Sequence, residues 1–253
     1  MFDNAVIEGI AIVFMVLGSL PFVLYLHAVR GGAKRLWRDT QVRWFMGIVL
    51  VALLALSGWQ WLAGGMAIDD AVRYASFNAI SVLTGTGYSS ADYSGWGSFA
   101  LPAFTVLMFI GGCTGGTTGG IKVFRFQVLY ATARVQIHQL IQPHGVFPMK
   151  YNHRPIPETV PGAVMGFFFL FIVSFGVLAM ALSLMGLDYI TSISGAATAL
   201  ANVGPGLGPI IGPSGTFQPL PEAAKWLLSF AMLLGRLELF TVLILLVPTF
   251  WRD

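Results

Sequence analysis

Charged residues are scarce in this sequence: they make up 10% of 253 residues, while 56% are hydrophobic. Ordinary soluble domains carry about 25% charged residues. A soluble core of this size cannot hide so much apolar surface, so lipid is the expected solvent. The net charge of +3 is too small to indicate a nucleic-acid partner. The single cysteine, Cys113, excludes an internal disulfide framework and leaves the redox compartment open. The four histidines, His27, His138, His144 and His153, lie in or near basic connecting segments without metal-ligand spacing, so zinc chemistry is not expected. An intramembrane hydrolase would need a nucleophile and a base at matching depth. No histidine lies in a pore region, and the chain is not read as an enzyme. Asp3 and Glu8 stand where a secretory signal would carry basic residues, so no signal peptide is expected.

What is present is a series of long apolar segments at 5–28, 43–63, 99–110 with 121–135, 161–187 and 222–250. A helix needs about 20 residues to cross the hydrocarbon core. Four segments qualify directly, and the third is interrupted by a glycine-rich run. Basic residues cluster in alternate connections. Arg30, Lys34, Arg35, Arg38 and Arg43 fall in one, Lys122, Arg125, Arg134, Lys150 and Arg154 in another, and Arg252 near the end. Basic loops stay cytoplasmic. The expectation is five passes, with the N-terminus outside and the C-terminus inside.

The outward connections are more than loops. Asp69 and Asp70 open a semi-apolar stretch that runs into Thr84-Gly85-Thr86-Gly87-Tyr88, and Asp188 opens a second that ends in Asn202-Val203-Gly204-Pro205-Gly206. Each is too short to span a bilayer and too apolar for open water, which suggests re-entrant segments. The distance from Arg43 to Thr84 is 41 residues, and so is that from Pro161 to Asn202. We read an internal repeat of helix–pore loop–helix, with one extra N-terminal helix. The fold class is all-α integral membrane.

Irregular backbone inside a membrane is tolerated only within protein or along a water-filled cavity. Strings such as Thr84–Tyr88 free their carbonyls from helical bonds. A ring of such oxygens can replace the hydration shell of a cation, and the negative C-terminal end of the preceding half-helix supports it. The competing reading is a pair of glycine-rich surface turns. The matched spacing argues against it. By itself this chemistry supports a monovalent cation only.

Six glycines, Gly111, Gly112, Gly115, Gly116, Gly119 and Gly120, fall within the ten residues that break the third segment. Each costs about 1 kcal/mol relative to alanine in a helix interior, so a flexible intramembrane plug is one reading. Close helix packing through small residues is another. A nucleotide loop is rejected, because Ile121 follows Gly120 where lysine is required and Lys122 comes one place late. Arg236, midway along the last apolar segment, carries an insertion cost of about 2.5–3.5 kcal/mol. Glu238 lies on nearly the opposite helix face and is a poor partner. The carbonyls of the 111–120 loop are better candidates, and a structural bond to another helix is the alternative.

The two strings, the run Gly111–Val123, the sequence Gly235-Arg236-Leu237-Glu238 and the closing Pro248–Asp253 together resemble the Trk/Ktr potassium-uptake family, specifically the C-terminal half of its TrkH-type membrane subunit. The resemblance covers essentially the whole chain. It implies four helix–pore–helix repeats around one potassium path, of which residues 41–135 and 157–253 match the third and fourth. Residues 1–30 match the last helix of the second. It further implies filters at 84–88 and 202–206, with a gate formed by the 111–120 loop and Arg236. A homodimer in the bacterial inner membrane is expected, docked through loops such as 134–158 to a cytoplasmic nucleotide-binding (TrkA-like) subunit. K⁺ is then the transported ion, and no covalent cofactor is expected. The first repeat and most of the second have no counterpart in these residues. The alternative is therefore a non-conducting fragment or half-subunit that needs a separate N-terminal half.

Overall fold

The computed structural model describes residues 4–32, 34–152, 154–157, 159–237, 239–245 and 248–251. The described chain is predominantly helical. Helix α1 (Ala5–Ser19) is capped by Asn4, whose Oδ1 accepts from the Val6 amide at 2.9 Å. The expected first pass over 5–28 does not continue straight. Leu20 is extended (φ −87°, ψ 159°), and α2 (Phe22–His27) leads into a segment bent 97° from α1. The cause is Pro21, which has no amide hydrogen and drives the preceding residue out of the helical region.

A short basic helix, α3 (Lys34–Arg38), precedes α4 (Thr40–Leu62). Asp39 caps α4, accepting from the amides of Gln41 at 2.8 Å and Val42 at 3.3 Å. Helices α5 (Ile68–Leu83), α6 (Ala100–Phe109) and α7 (Val123–Ile141) follow. A two-residue hairpin, β1 (Lys150–Tyr151) against β2 (Arg154–Pro155), lies between α7 and α8 (Thr159–Leu184). Then come α9 (Tyr189–Ala201), the single turn α10 (Gly208–Ile211), α11 (Glu222–Arg236) and α12 (Leu239–Leu245).

Among the described residues, α4 and α8 are long and apolar enough to cross a membrane by themselves, and the bent α1–α2 pair qualifies only as a unit. At 1.5 Å per residue, α4 and α8 reach about 35 and 39 Å, enough for a core of about 30 Å. The last apolar segment differs from expectation. Arg236 is not midway along one helix but ends α11, and Leu237 leaves helical geometry with ψ near 7°. The break falls beside Gly235, a poor helix former. Glu238 lies outside the described residues.

Two apolar clusters hold the helices together, one of α1, α4, α5 and α6, the other of α8, α9 and α11. Phe109 at the end of α6 joins them through edge-on contacts with Phe171 and Phe175 at 5.8 and 5.1 Å. The short helices α5, packed by α1, α4 and α6, and α9, packed by α6, α8 and α11, are each buried through the C-terminal half. The outer faces of α1, α4 and α8 present exposed residues such as Phe14, Leu54 and Phe169, as a lipid-facing surface does. Trp96 is buried against Tyr93 and Phe104, and its carbonyl accepts from Trp59 Nε1 at 2.8 Å.

Candidate functional site: two glycine strings above a glycine loop

The first string begins where α5 ends, and its amides fold back onto that end. The amides of Thr84, Gly85 and Thr86 donate to the carbonyls of Ile80, Val82 and Ser81 at 2.8, 3.1 and 2.9 Å, and that of Gly87 to Ser81 at 3.4 Å. The hydroxyls of Thr84 and Thr86 share a 2.8 Å hydrogen bond. The second string follows the same scheme at the end of α9. Asn202 takes the left-handed conformation (φ 55°), the Val203 amide donates to the Thr198 carbonyl at 3.1 Å, and the Gly204 amide to Thr198 Oγ1 at 3.0 Å. Gly206 donates to the Ile211 carbonyl at 2.7 Å. Among the described residues, no donor reaches the carbonyls of Thr84–Gly87 or Asn202–Pro205. The string amides other than that of Tyr88 are consumed, and these carbonyls are left over.

The strings lie against each other. A methyl group placed on Gly87, already at φ +79°, would meet the Val203 carbonyl oxygen at 2.4 Å, and one on Gly204 would lie 3.4 Å from the Gly87 Cα. Only glycine allows this approach without strain. Tyr88 departs from the junction, with its side chain 72% exposed, and the Thr86 side chain is also exposed.

Beneath them lies the 111–120 loop. Its neck is closed by a parallel bridge of Ile110 with Ile121, where the Gly111 amide donates to the Ile121 carbonyl and the Ile121 amide to that of Phe109, both at 2.9 Å. The loop body is held by the bend in the first segment. The carbonyls of Gly18 and Ser19, left without helical donors by Pro21, accept from the amides of Thr117 at 3.0 Å and Cys113 at 2.9 Å. The Gly115 carbonyl in turn accepts from the Phe22 amide at 3.1 Å. The Thr114 amide donates to Gln41 Oε1 at 2.8 Å, and the Gly112 amide to Thr118 Oγ1 at 2.8 Å. The upper side of the loop touches the second string, since a methyl on Gly119 would sit 2.2 Å from the Ala201 carbonyl.

Arg236 reaches this loop from α11, with Nη1 donating to the Thr117 carbonyl at 3.2 Å. A cavity of about 220 Å³ lies between them, walled by Gly116–Gly120, Phe167 and Phe171 and by three cations, Lys122, Arg125 and Arg236. The Lys122 ammonium donates to the Thr118 carbonyl, and the Arg125 guanidinium stacks 3.8 Å over the Phe167 ring. Lys122 and Arg125 were assigned from sequence only to a basic connection. The i,i+3 spacing of Lys122, at the N-cap of α7, and Arg125, in its first turn, is the available signal. The closed neck of the loop, which tucks both under the glycine run, was not readable.

Asn202 Nδ2 ties the second string to α11 by donating to the Met232 carbonyl at 3.1 Å. Outside the membrane-spanning segments, hydrogen bonds from Thr191 hold the Asp188 carboxyl at the start of α9 below the ordinary carboxylate range.

The family model described as "TrkH: Cation transport protein" matches residues 1–252. The chain is 50% identical over 240 residues to the Trk system potassium uptake protein TrkI of Halomonas elongata, covering 95% of this chain and 49% of that protein. It is 32% identical over 255 residues to the Trk system potassium uptake protein TrkH of Escherichia coli K12, covering 100% of this chain and 52% of that protein. The crystal structure of the potassium transporter TrkH from Vibrio parahaemolyticus superposes with a TM-score of 0.92 at 34% identity, over 99% of this chain and 54% of that one. The chain thus spans about half the length of these relatives. With its apolar helices it is a multi-pass membrane protein, and it belongs to the TrkH family of cation transport proteins.

Proposed function

We propose that the chain supplies half of a pathway for potassium uptake, in which Thr84–Tyr88 and Asn202–Gly206 are two carbonyl-lined filter segments. On this reading residues 41–135 and 157–253 are pore repeats, and 1–30 closes an earlier one. The gate is the 111–120 loop with Arg236. The observation that carries the reading is the junction itself: two strings with spent donors and unpartnered carbonyls meet directly above a loop that a guanidinium holds. Carbonyl oxygens so presented replace the water shell of a monovalent cation. A fixed positive charge below them opposes its passage. Preference for potassium comes from the relatives, whose names give it.

The setting belongs to the same proposal: a homodimer in the bacterial inner membrane, N-terminus outside and C-terminus inside. The cytoplasmic region 134–158 docks a nucleotide-binding regulatory subunit. A second reading, that the chain conducts nothing until joined by a separate N-terminal half, is favoured by its coverage of about half of each relative.

Growth of a potassium-uptake-deficient bacterium at low external potassium tests both. Rescue by the chain alone, abolished by Gly204→Ser, means that two copies complete the pore. Rescue only with an added family-type N-terminal half establishes the half-subunit. Failure in both settings removes the potassium reading.

A further inference from the structure

A string whose carbonyls face an ion cannot spend them on hydrogen bonds, so its shape must be held from behind. The described structure contains such a hold reaching past the end of each string. Asn78 on α5 is fully buried. Its Nδ2 donates to the Tyr74 carbonyl at 2.8 Å and to Ser90 Oγ at 3.1 Å, while its Oδ1 accepts from the Ser90 amide at 3.1 Å. The amide side chain therefore reaches from the half-helix across the whole Thr84–Tyr88 string and grips the backbone two residues beyond it. Ser194 on α9, 1% exposed, does the same for the second string. Its Oγ accepts from the Leu207 amide at 2.9 Å and donates to the Leu207 carbonyl at 3.4 Å. That closes a loop around Asn202–Gly206.

The chemistry differs, one carboxamide and one hydroxyl, but the construction is shared. In each half a buried polar side chain of the short helix takes a backbone N–H just past the string, that of Ser90 two residues after the first and that of Leu207 directly after the second. A buried polar group is costly without partners, and each of these spends bonds on chain just past its string. Neither touches the 111–120 loop or Arg236, so their part is separate from gating.

We infer that Asn78 and Ser194 are positioning residues that fix the width of the carbonyl ring and thereby set which monovalent cation fits. The inference rests on the filter reading above. Its substrate-side consequence is that the two side chains govern discrimination among alkali cations rather than permeation as such. A clasp that loosens lets the string relax around a smaller ion, at the expense of the larger one.

The test is the thermal unfolding midpoint of the purified chain, alone and joined by a family-type N-terminal half, titrated with KCl, RbCl or NaCl against choline chloride. Binding to the folded state raises the midpoint with ion concentration. K⁺ and Rb⁺ are expected to act at lower concentration than Na⁺ in the unsubstituted protein. Ser194→Ala, and independently the milder Ser90→Ala, are expected to shrink that preference by about fivefold, the net worth of one hydrogen bond of about 1 kcal/mol. Ser229→Ala on the exposed face of α11 serves as control. A clasp variant that lowers the midpoint in choline but keeps the ion preference is merely structural and overturns the inference. If Ser194→Ala does not fold, Ser90→Ala decides by the same criterion. Failure of the filter reading looks different: Gly87→Ala then leaves the ion dependence untouched, or no ion shifts the midpoint in either setting.

Discussion

The two halves of the chain repeat one plan and diverge at one place. In both, a long helix (α4 or α8) is followed by a short buried helix and a glycine string. After the first string, the returning helix α6 stops at Phe109 and gives way to the glycine loop. After the second, α11 runs unbroken to Arg236, which enters that loop. One half carries a mobile-chain composition where the other carries a rigid arm with a charge at its tip. The lesson is that near-symmetric halves need not do the same work. The asymmetry sits below the strings, where the first half contributes the glycine loop and the second the guanidinium that bonds to it; on the proposed reading these are the obstruction and its latch.

The largest expected effect opens a contact within the second half. A methyl on Gly235 would lie 1.9 Å from the Leu200 carbonyl, so Gly235→Ala forces α11 away from α9 and is expected to cost about 3 kcal/mol. Gly176, in the middle of α8, has nothing within 4 Å, and Gly176→Ala is expected to be neutral or to stabilise by up to about 1 kcal/mol. Unfolding midpoints in one detergent, compared as a pair, check both.

Next comes charge. In the first half Glu8 on α1 and Arg73 on α5 form a two-pronged pair at 2.8 and 3.0 Å, with the Glu8 side chain buried. The second half has Glu222 with Lys225 at 2.8 Å, largely exposed on α11. Glu8→Gln leaves a cation facing a buried neutral amide and is expected to cost about 2 kcal/mol. Glu222→Gln is expected to change stability by less than about 0.5 kcal/mol. Equal effects would remove the distinction between the two pairs.

The capping of the short helices is the finer contrast. Asp188 caps α9 by accepting from the Thr191 amide at 3.1 Å, whereas α5 starts at Ala67 with no side-chain cap and carries Asp69 and Asp70 in its first turn. Asp188→Ala is expected to cost about 1 kcal/mol. Because the Asp188 carboxyl is held below its ordinary range, its contribution is complete above the unfolded value and is lost as pH falls through the folded one. The difference between Asp188→Ala and the unsubstituted chain should therefore vanish in acid, and a pH series of unfolding midpoints reads this directly.

Much of the site was legible because glycine leaves a strong mark in an apolar sequence. The strings, the broken third segment and the pairing of Arg236 with loop carbonyls follow from where helix cannot persist and where a cation needs oxygen. The bend after Ser19 was equally present in the letters, as Pro21 within an apolar run, but hydropathy alone treats proline as one more apolar-segment residue. That bend matters, since it frees the carbonyls of Gly18 and Ser19 that hold the loop. The convergence of Lys122 and Arg125 on the cavity depends on the Ile110–Ile121 bridge, a contact between residues whose spacing carries no periodic signal. The burial of Trp96 is hidden from the sequence for a similar reason: it is set by Tyr93 and Phe104 rather than by local composition.

The most direct measurement is ⁸⁶Rb⁺ uptake into proteoliposomes holding this chain with a family-type N-terminal half, competed by K⁺ and by Na⁺, for Gly87→Ala beside Gly176→Ala. Two strings forming one ion site require that Gly87→Ala lose both uptake and the preference for K⁺ over Na⁺ as competitor, with Gly176→Ala unchanged. Uptake and preference preserved in Gly87→Ala would contradict it.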